Sequence, residues 1–197
     1  HGPNGVGKTR LVEQIAASLH EKLFSVIRLS HPSLTGADLI RALCGAMSLT
    51  PQMRRSDHVA EIHAHWRQLG AVHPLLIVDE AQNLSATALE ELRLLGCGPR
   101  DRHSSPFSLL LVGDEDLLPR LQMGVNRPLR SRLGFCLSMV PFTEHETQAY
   151  LQSDGVKSAS PSAPLKNPPK CWSIRQVPGW PAPSINWLNW PSRPPWN

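Results

Sequence analysis

The stretch that decides the fold is Gly2-Pro3-Asn4-Gly5-Val6-Gly7-Lys8-Thr9. It matches the pattern GxxxxGK[ST] at every fixed position. Glycines let the backbone curl so that successive N–H groups point toward phosphate oxygens. A helix predicted over residues 8–22 would aim the positive end of its dipole at the same anion. The pattern therefore predicts a site for a nucleoside triphosphate.

Within this loop the side chains have distinct expected roles. Lys8 is placed to reach the β- and γ-phosphates, and the Thr9 hydroxyl is placed to bind Mg²⁺. The residues expected to contact the nucleotide are Gly2, Pro3, Asn4, Gly5, Val6, Gly7, Lys8, Thr9 and Arg10.

A second motif, Leu75-Leu76-Ile77-Val78-Asp79-Glu80, follows about 70 residues later. Four consecutive aliphatic residues are typical of a strand buried on both faces, as in a parallel sheet covered by helices. Such a strand presents polar groups at its carboxyl end, where ligands of α/β proteins bind. Asp79 is then placed to hold Mg²⁺, directly or through water. Glu80 is placed to polarise an attacking water.

Strand and helix patterns alternate through the first three quarters of the chain. We expect strands over residues 24–29, 75–78, 107–112 and 134–140, and helices over 8–22, 35–49, 51–69, 85–95, 117–123 and 143–152. This alternation predicts the α/β class, with a parallel sheet sandwiched by helices.

Two further residues are candidates for the same chemistry. Asp114 follows the strand predicted over 107–112, where it either orients water or metal or simply caps the next helix. Arg132 lies in a basic segment with Arg127 and Arg130. It is either an arginine finger supplied by a neighbouring subunit or part of a solvated surface.

The chain from residue 2 to residue 151 resembles the AAA+ ATPases of the ExeA type (general secretion pathway protein A) and their transposition relatives of the TniB type. The resemblance rests on GPNGVGKT, on LLIVDEAQNL followed by SATALEELRLLG, and on SLLLVGDEDLLPRL, RSRLGF and VPFTEHETQAYL. It implies a P-loop NTPase fold of AAA+ type.

The resemblance also implies roles and partners. Lys8 and Thr9 would bind ATP and Mg²⁺, Asp79 and Glu80 would form the hydrolytic pair, and Arg132 would be the finger. A finger acts across an interface, which implies a homo-oligomer, either a ring or a filament. The implied partners are a secretion-machinery protein, or a transposase with duplex DNA.

Three departures from the family pattern are visible. The strand that precedes the phosphate loop in relatives is missing here, so we expect the AAA+ core to be truncated at its front. Relatives more often carry a neutral polar residue, such as glutamine, at the position of Asp114. In Gly179-Trp180-Pro181-Ala182, Ala182 stands where the relatives' helical lid has an arginine that touches the γ-phosphate.

Charge and proline divide the chain into a core over 1–155 and a tail over 156–197. The core holds 15 Lys and Arg residues and all 16 Asp and Glu residues, whereas the tail holds five basic residues and no acid. Ten prolines in the tail forbid regular helices and central strands, so we expect it to be disordered and non-globular. Three interpretations stay open: a frameshift product, a proline-rich docking arm, or a Trp-rich patch that stacks on single-stranded nucleic acid.

Composition also limits the compartment and the function. No apolar run is long enough for a transmembrane helix and no signal peptide is visible, so we expect a cytoplasmic protein without an integral membrane segment. We predict that His58, His63 and His65 lie on a solvated surface.

The function expected is Mg-dependent ATP binding and hydrolysis, coupled to assembly of a partner machine. The alternatives are a non-hydrolysing, ATP-dependent DNA- or protein-binding switch, and an inactive fragment.

Overall fold

The computed structural model describes residues 1–30, 34–50, 52–97 and 105–144, together with the backbone of Ser173–Gln176. These residues fall into two compact units. The first consists of His1 and Gly7–Leu133, and the second of Gly2–Val6 and Gly134–Asn197.

The first unit is built on a parallel sheet of three strands, β1 (Phe24–Leu29), β2 (His73–Val78) and β3 (Ser108–Leu111). Their order is β1-β2-β3, so β2 lies in the middle. Leu76, Ile77 and Val78 are fully buried, as the aliphatic run predicts for a strand covered on both faces. The carboxyl ends of the strands are aligned, with Val78 level with Leu29 and Leu111.

Helices follow the strands in alternation, which confirms the predicted α/β class. Their bounds are α1 Lys8–Ser18, α2 Gly36–Ala46, α3 Arg55–Gln68, α4 Ala86–Leu95, α5 Leu117–Gln122 and α6 Arg127–Arg130, with 3₁₀ turns at Ala81–Asn83 and Gly124–Asn126. Side-chain oxygens cap the N-termini of two of these helices. Thr35 accepts a hydrogen bond from the N–H of Asp38 at α2, and Ser85 accepts one from the N–H of Ala88 at α4.

Side chains from alternate positions of β2 enter two separate hydrophobic clusters. Leu76 and Val78 belong to a large cluster that also contains the apolar faces of α2, α3 and α4. Ile77 belongs to a smaller cluster with Val12 of α1 and Val112. Because successive residues of a strand point to opposite faces, the sheet has helices on both sides.

The observed elements differ from the predicted ones mainly at their ends. α1 ends at Ser18 rather than at residue 22, and α3 begins at Arg55 rather than at residue 51. The single turn of α6, with Pro128 in its first positions, is too short to show a helical period, and the sequence analysis did not predict it. The helix predicted over 143–152 lies almost entirely outside the described residues.

The prediction for His58 was wrong. This side chain is buried, and its Nε2 accepts a hydrogen bond of 3.1 Å from the N–H of Gln52. The other ring nitrogen therefore carries the proton, and Nδ1 donates to the carbonyl of Arg54 at 3.1 Å. His58 closes the turn into α3 instead of lying on a solvated surface.

The second unit contains β4 (Leu137–Val140), which pairs antiparallel with β5 (Ser173–Gln176). β5 lies in the proline-rich tail and was not predicted, but its four residues include no proline. Gly2 lies against β4, where a Cβ atom would be 2.4 Å from the carbonyl oxygen of Met139. Only glycine allows that approach. The three interpretations of the tail concern residues that are otherwise outside the described part of the chain.

Within the described ranges, no helix combines the length and the apolar character that crossing a bilayer requires.

Substitution of Leu92 by alanine is expected to lower the free energy of unfolding by about 2–5 kcal/mol, because it removes a fully buried side chain of α4 from the large hydrophobic cluster. Leu94→Ala is the matched control, since Leu94 is on the same helix but is exposed. Urea unfolding measures both. Equal losses in the two variants would contradict the packing described here.

Candidate functional site

Asp79 lies directly after β2 and is 5% exposed. Its backbone N–H donates to the carbonyl of Leu29 at 3.0 Å, which fixes it beside the end of β1. Oδ2 accepts hydrogen bonds from Thr9 Oγ1 at 3.1 Å and from Arg28 Nη2 at 3.3 Å. Oδ1 accepts from the N–H of Glu80 at 3.1 Å. A carboxylate this deeply buried needs such donors, and here both oxygens have them.

The start of α1 brings Thr9 to this carboxylate. Gly7 precedes the helix with φ 89° and ψ 21°, in the left-handed region that glycine adopts without strain. Lys8 is the first residue of the helix and is buried. The turn at Gly7 therefore places a hydroxyl and an ammonium group at the positive end of the α1 dipole.

Glu80 has φ 54° and ψ 38°, a left-handed conformation that is uncommon for a residue with a side chain. The next N–H, from Ala81, donates to the carbonyl of Val112 at 2.8 Å and so ties this turn to the end of β3. Glu80 Oε2 accepts a hydrogen bond of 2.6 Å from Gln82 Nε2. The two consecutive acids thus have different partners.

Asp114 is linked to Glu80 through Gln82, which its backbone contacts. Its N–H donates to Gln82 Oε1 at 3.3 Å. Its own carboxylate accepts from the N–H of Asp116 at 3.0 Å, within the turn that leads into α5. That bond forms an Asx turn ahead of α5, whose N-cap residue is Asp116, so both alternatives for Asp114 stay predictions.

Three site residues were missed in the sequence analysis: Arg28, Gln82 and Arg120. Arg28 was detectable in principle, because it is the charged residue near the carboxyl end of an otherwise mainly apolar strand, FSVIRL. Its Nη1 also lies 3.9 Å from Oε1 of Glu13, a residue of α1. Arg120 of α5 donates to the carbonyls of Gln82 and Leu84, and no local pattern indicates this.

Two of the predicted arginines, Arg132 and Arg10, have side chains exposed to solvent. Arg132 is exposed, and its Nη1 is 3.5 Å from the position a Cβ would take on Gly96, at the C-terminal end of α4. Arg10 is exposed and pairs with Glu13 at 3.4 Å. Gly2, Pro3, Asn4, Gly5 and Val6 belong to the second unit, where Gly5 has φ 83°.

The atoms gathered at Asp79 suit a hard divalent cation. Thr9 Oγ1 and Asp79 Oδ2 are oxygen ligands only 3.1 Å apart. Hydroxyl and carboxylate oxygens are the donors that Mg²⁺ prefers, and no sulfur or imidazole group is among these contacts. The residues present therefore fit Mg²⁺.

A protein-family profile described as an AAA domain matches residues 1–121, which is more than half of the chain. The chain belongs to the AAA domain family. The resemblance predicted from the sequence motifs is confirmed, and so is the P-loop NTPase fold with its parallel sheet and flanking helices.

Two curated relatives of this AAA domain belong to different cellular systems by name, one to DNA transposition and the other to secretion. Mu-like prophage FluMu DNA transposition protein B of Haemophilus influenzae is 27% identical over 164 residues, which cover 80% of this chain and 53% of the relative. General secretion pathway protein A of Aeromonas hydrophila is 26% identical over 161 residues, which cover 77% of this chain and 28% of the relative. The chain thus spans about half of the first relative and less of the second.

Solved structures of similar fold are more distant in sequence. Cdc6p from Pyrobaculum aerophilum has a TM-score of 0.50 and 19% identity, over 65% of this chain and 35% of that one. The ORC2 protein of Aeropyrum pernix, in ADPNP–ADP complexes, has a TM-score of 0.56 and 18% identity, over 76% of this chain and 42% of that one. At these identities the match concerns the fold.

Replacing Gly7 by alanine is expected to destabilise the AAA domain by about 1–2 kcal/mol, because a Cβ is disfavoured in the left-handed region. Gly45→Ala is the control. Gly45 lies in α2 with open space around its Cβ position, so alanine there should stabilise by about 0.5–1 kcal/mol. Opposite shifts in the urea midpoint are expected, and shifts of the same sign would contradict the geometry at Gly7.

Proposed function

We propose that this AAA domain binds Mg·ATP, hydrolyses it to ADP and phosphate, and couples its nucleotide state to the assembly of a partner machine. The observation that carries the proposal is the contact between Thr9 Oγ1 and Asp79 Oδ2 at the start of α1, with Glu80 as the next residue. Membership of the AAA family supports an ATPase type of chemistry.

Binding is assigned to the loop 2–9 with Arg10, and to the ammonium group of Lys8 for the β- and γ-phosphates. Thr9 and Asp79 would hold Mg²⁺. The cation, when bound, neutralises charge that develops on the phosphate oxygens. Arg28 shares Asp79 Oδ2 with Thr9, so its guanidinium holds the carboxylate in place from the side of β1.

Glu80 is the residue we propose as the base. It is partly exposed, unlike Asp79, so water can reach its carboxylate. Its separate hydrogen-bond partner leaves it free of the metal ligands Thr9 and Asp79. A carboxylate close to the metal but not bound to it is what orienting an attacking water requires.

Glu80→Gln is expected to retain ATP binding and to lose at least about 100-fold in turnover, because the amide cannot accept the proton of the attacking water. Phosphate release measures turnover, and fluorescence of a labelled ATP analogue measures binding. Glu90→Gln is the matched control, since Glu90 is exposed on α4 and pairs with Arg93.

If turnover persists in Glu80→Gln at the wild-type rate, the assignment of the base is wrong. If neither the wild type nor Glu80→Gln hydrolyses ATP while both bind it, the non-hydrolysing switch is the correct alternative. Absence of nucleotide binding would favour the inactive fragment.

Arg132 remains our proposed finger, acting on a neighbouring subunit of a homo-oligomer. α4 begins soon after Glu80, and Arg132 lies by Gly96 at its other end. A helix of 10 residues is about 15 Å long, and this guanidinium lies at the end of α4 remote from the turn that contains Glu80. An exposed arginine in that position is suited to act across an interface.

Arg132→Ala is expected to bind ATP and to lose turnover by about 10³-fold, as removal of a finger does in related chemistry. Mixed with Glu80→Gln, it should recover part of the activity, because some interfaces then combine an intact Glu80 with an intact Arg132. Arg127→Ala, another exposed arginine of the same segment, is the control. No recovery on mixing, at concentrations where the subunits associate, would contradict action in trans.

The partner is proposed from the two curated relatives, one described as a DNA transposition protein and the other as a secretion pathway protein. Turnover measured with and without duplex DNA distinguishes them. Stimulation would support a transposase and DNA as partners, whereas indifference would support a protein of the secretion machinery.

A further inference from the structure

We infer that Gln82 is a positioning residue that fixes the carboxylate of Glu80 by donating its side-chain amide to it. Its effect on catalysis rests on the proposed hydrolysis, but the contact itself does not. Gln82 is 9% exposed, and the hydrogen bond from Nε2 to Glu80 Oε2 is 2.6 Å long. This is a short bond to an ionised acceptor, which is the stronger class.

The orientation of the Gln82 amide is determined by its other end. The N–H of Asp114 can only donate, so the atom that faces it at 3.3 Å must be the carbonyl oxygen, Oε1. The NH₂ group must therefore face Glu80. A flipped amide would place two donors together at Asp114 and two acceptors together at Glu80.

The backbone around Gln82 is also held. Arg120 donates to the carbonyls of Gln82 and Leu84, and the carbonyl of Arg120 accepts from Asn126 Nδ2 at 2.8 Å. Gly113 leaves room for the amide, since a Cβ there would be 2.7 Å from Gln82 Oε1. The side-chain amide is thus held from the end of β3, and the backbone that carries it is held from α5.

Such an arrangement matters because Glu80 projects from a partly exposed turn. A carboxylate there would otherwise sample several rotamers. With Oε2 held by Gln82, Oε1 is the oxygen available to orient water. A base held in one geometry contributes more than a mobile one, since small displacements lower the rate steeply.

The test uses two substitutions in the full chain. Gln82→Glu keeps the shape and an acceptor for the N–H of Asp114, but it replaces the donor to Glu80 by a carboxylate oxygen. Gln82→Met keeps the volume and removes both hydrogen bonds. Gln68→Glu is the matched control at the exposed end of α3.

Both Gln82 variants are expected to lower kcat by about 10–100-fold while ATP affinity stays unchanged. In Gln82→Glu the loss follows from removal of the amide donor to Glu80, while an acceptor for the N–H of Asp114 is retained. A wild-type kcat in Gln82→Glu would overturn the inference.

A second measurement needs no turnover. The side-chain ¹⁵N–¹H amide pair of Gln82, assigned by its loss in Gln82→Glu, is expected to shift strongly in Glu80→Ala, whereas the pair of Gln68 stays in place. An unresponsive Gln82 pair overturns the inference even if ATP is hydrolysed. A responsive pair in a protein without turnover supports the contact and refutes the proposed hydrolysis.

Discussion

Asp79 is a carboxylate buried at the end of a strand that is itself covered on both faces, and the surrounding structure is arranged around that constraint. An unpaired charge there would be costly, so donors must reach it from separate elements. Thr9 comes from α1, Arg28 from β1, and the N–H of Glu80 from the chain that follows. These contacts connect α1, β1 and the end of β2 through the carboxylate of Asp79. The position of α1 on the sheet is therefore set by the hydrogen bond from Thr9 as well as by apolar packing.

The turn after Asp79 extends this arrangement to the third strand. Glu80 adopts a left-handed conformation, which costs about 1–3 kcal/mol for a residue with a side chain and persists only where neighbouring contacts enforce it. Here the N–H of Ala81 bonds to Val112, and Gln82 bonds to the backbone of Asp114. Strain at Glu80 is therefore balanced by contacts to the end of β3, and the carboxylates of Glu80 and Asp79 bond to different partners.

Local patterns were sufficient for much of this fold. The aliphatic run before Asp79 identified the central strand, and Ser85 with the leucines behind it identified α4, because burial and capping have short-range signatures. Two recognised motifs predicted that Thr9 and Asp79 both hold Mg²⁺, and the hydrogen bond between them agrees with that expectation.

Other features depend on residues that meet only in the folded chain. Arg120 lies 38 positions from Gln82, and Arg28 lies 51 from Asp79, so no periodicity could pair them. His58 was misplaced for another reason: its partners, the N–H of Gln52 and the carbonyl of Arg54, are close in sequence, but they are backbone groups that no side-chain pattern indicates.

Consecutive acids in this chain end up in opposite environments, and that difference is the strongest structural argument for separate roles. Asp79 is buried and receives a hydroxyl and a guanidinium, which stabilise its charge and suit it to bind a cation. Glu80 is partly exposed and receives one neutral amide, which orients it and leaves an oxygen open to water. The difference in burial and hydrogen-bond partners supports the proposal that Asp79 binds the cation and Glu80 orients water. The left-handed conformation of Glu80 is the backbone feature that accompanies this difference in the environments of two adjacent side chains.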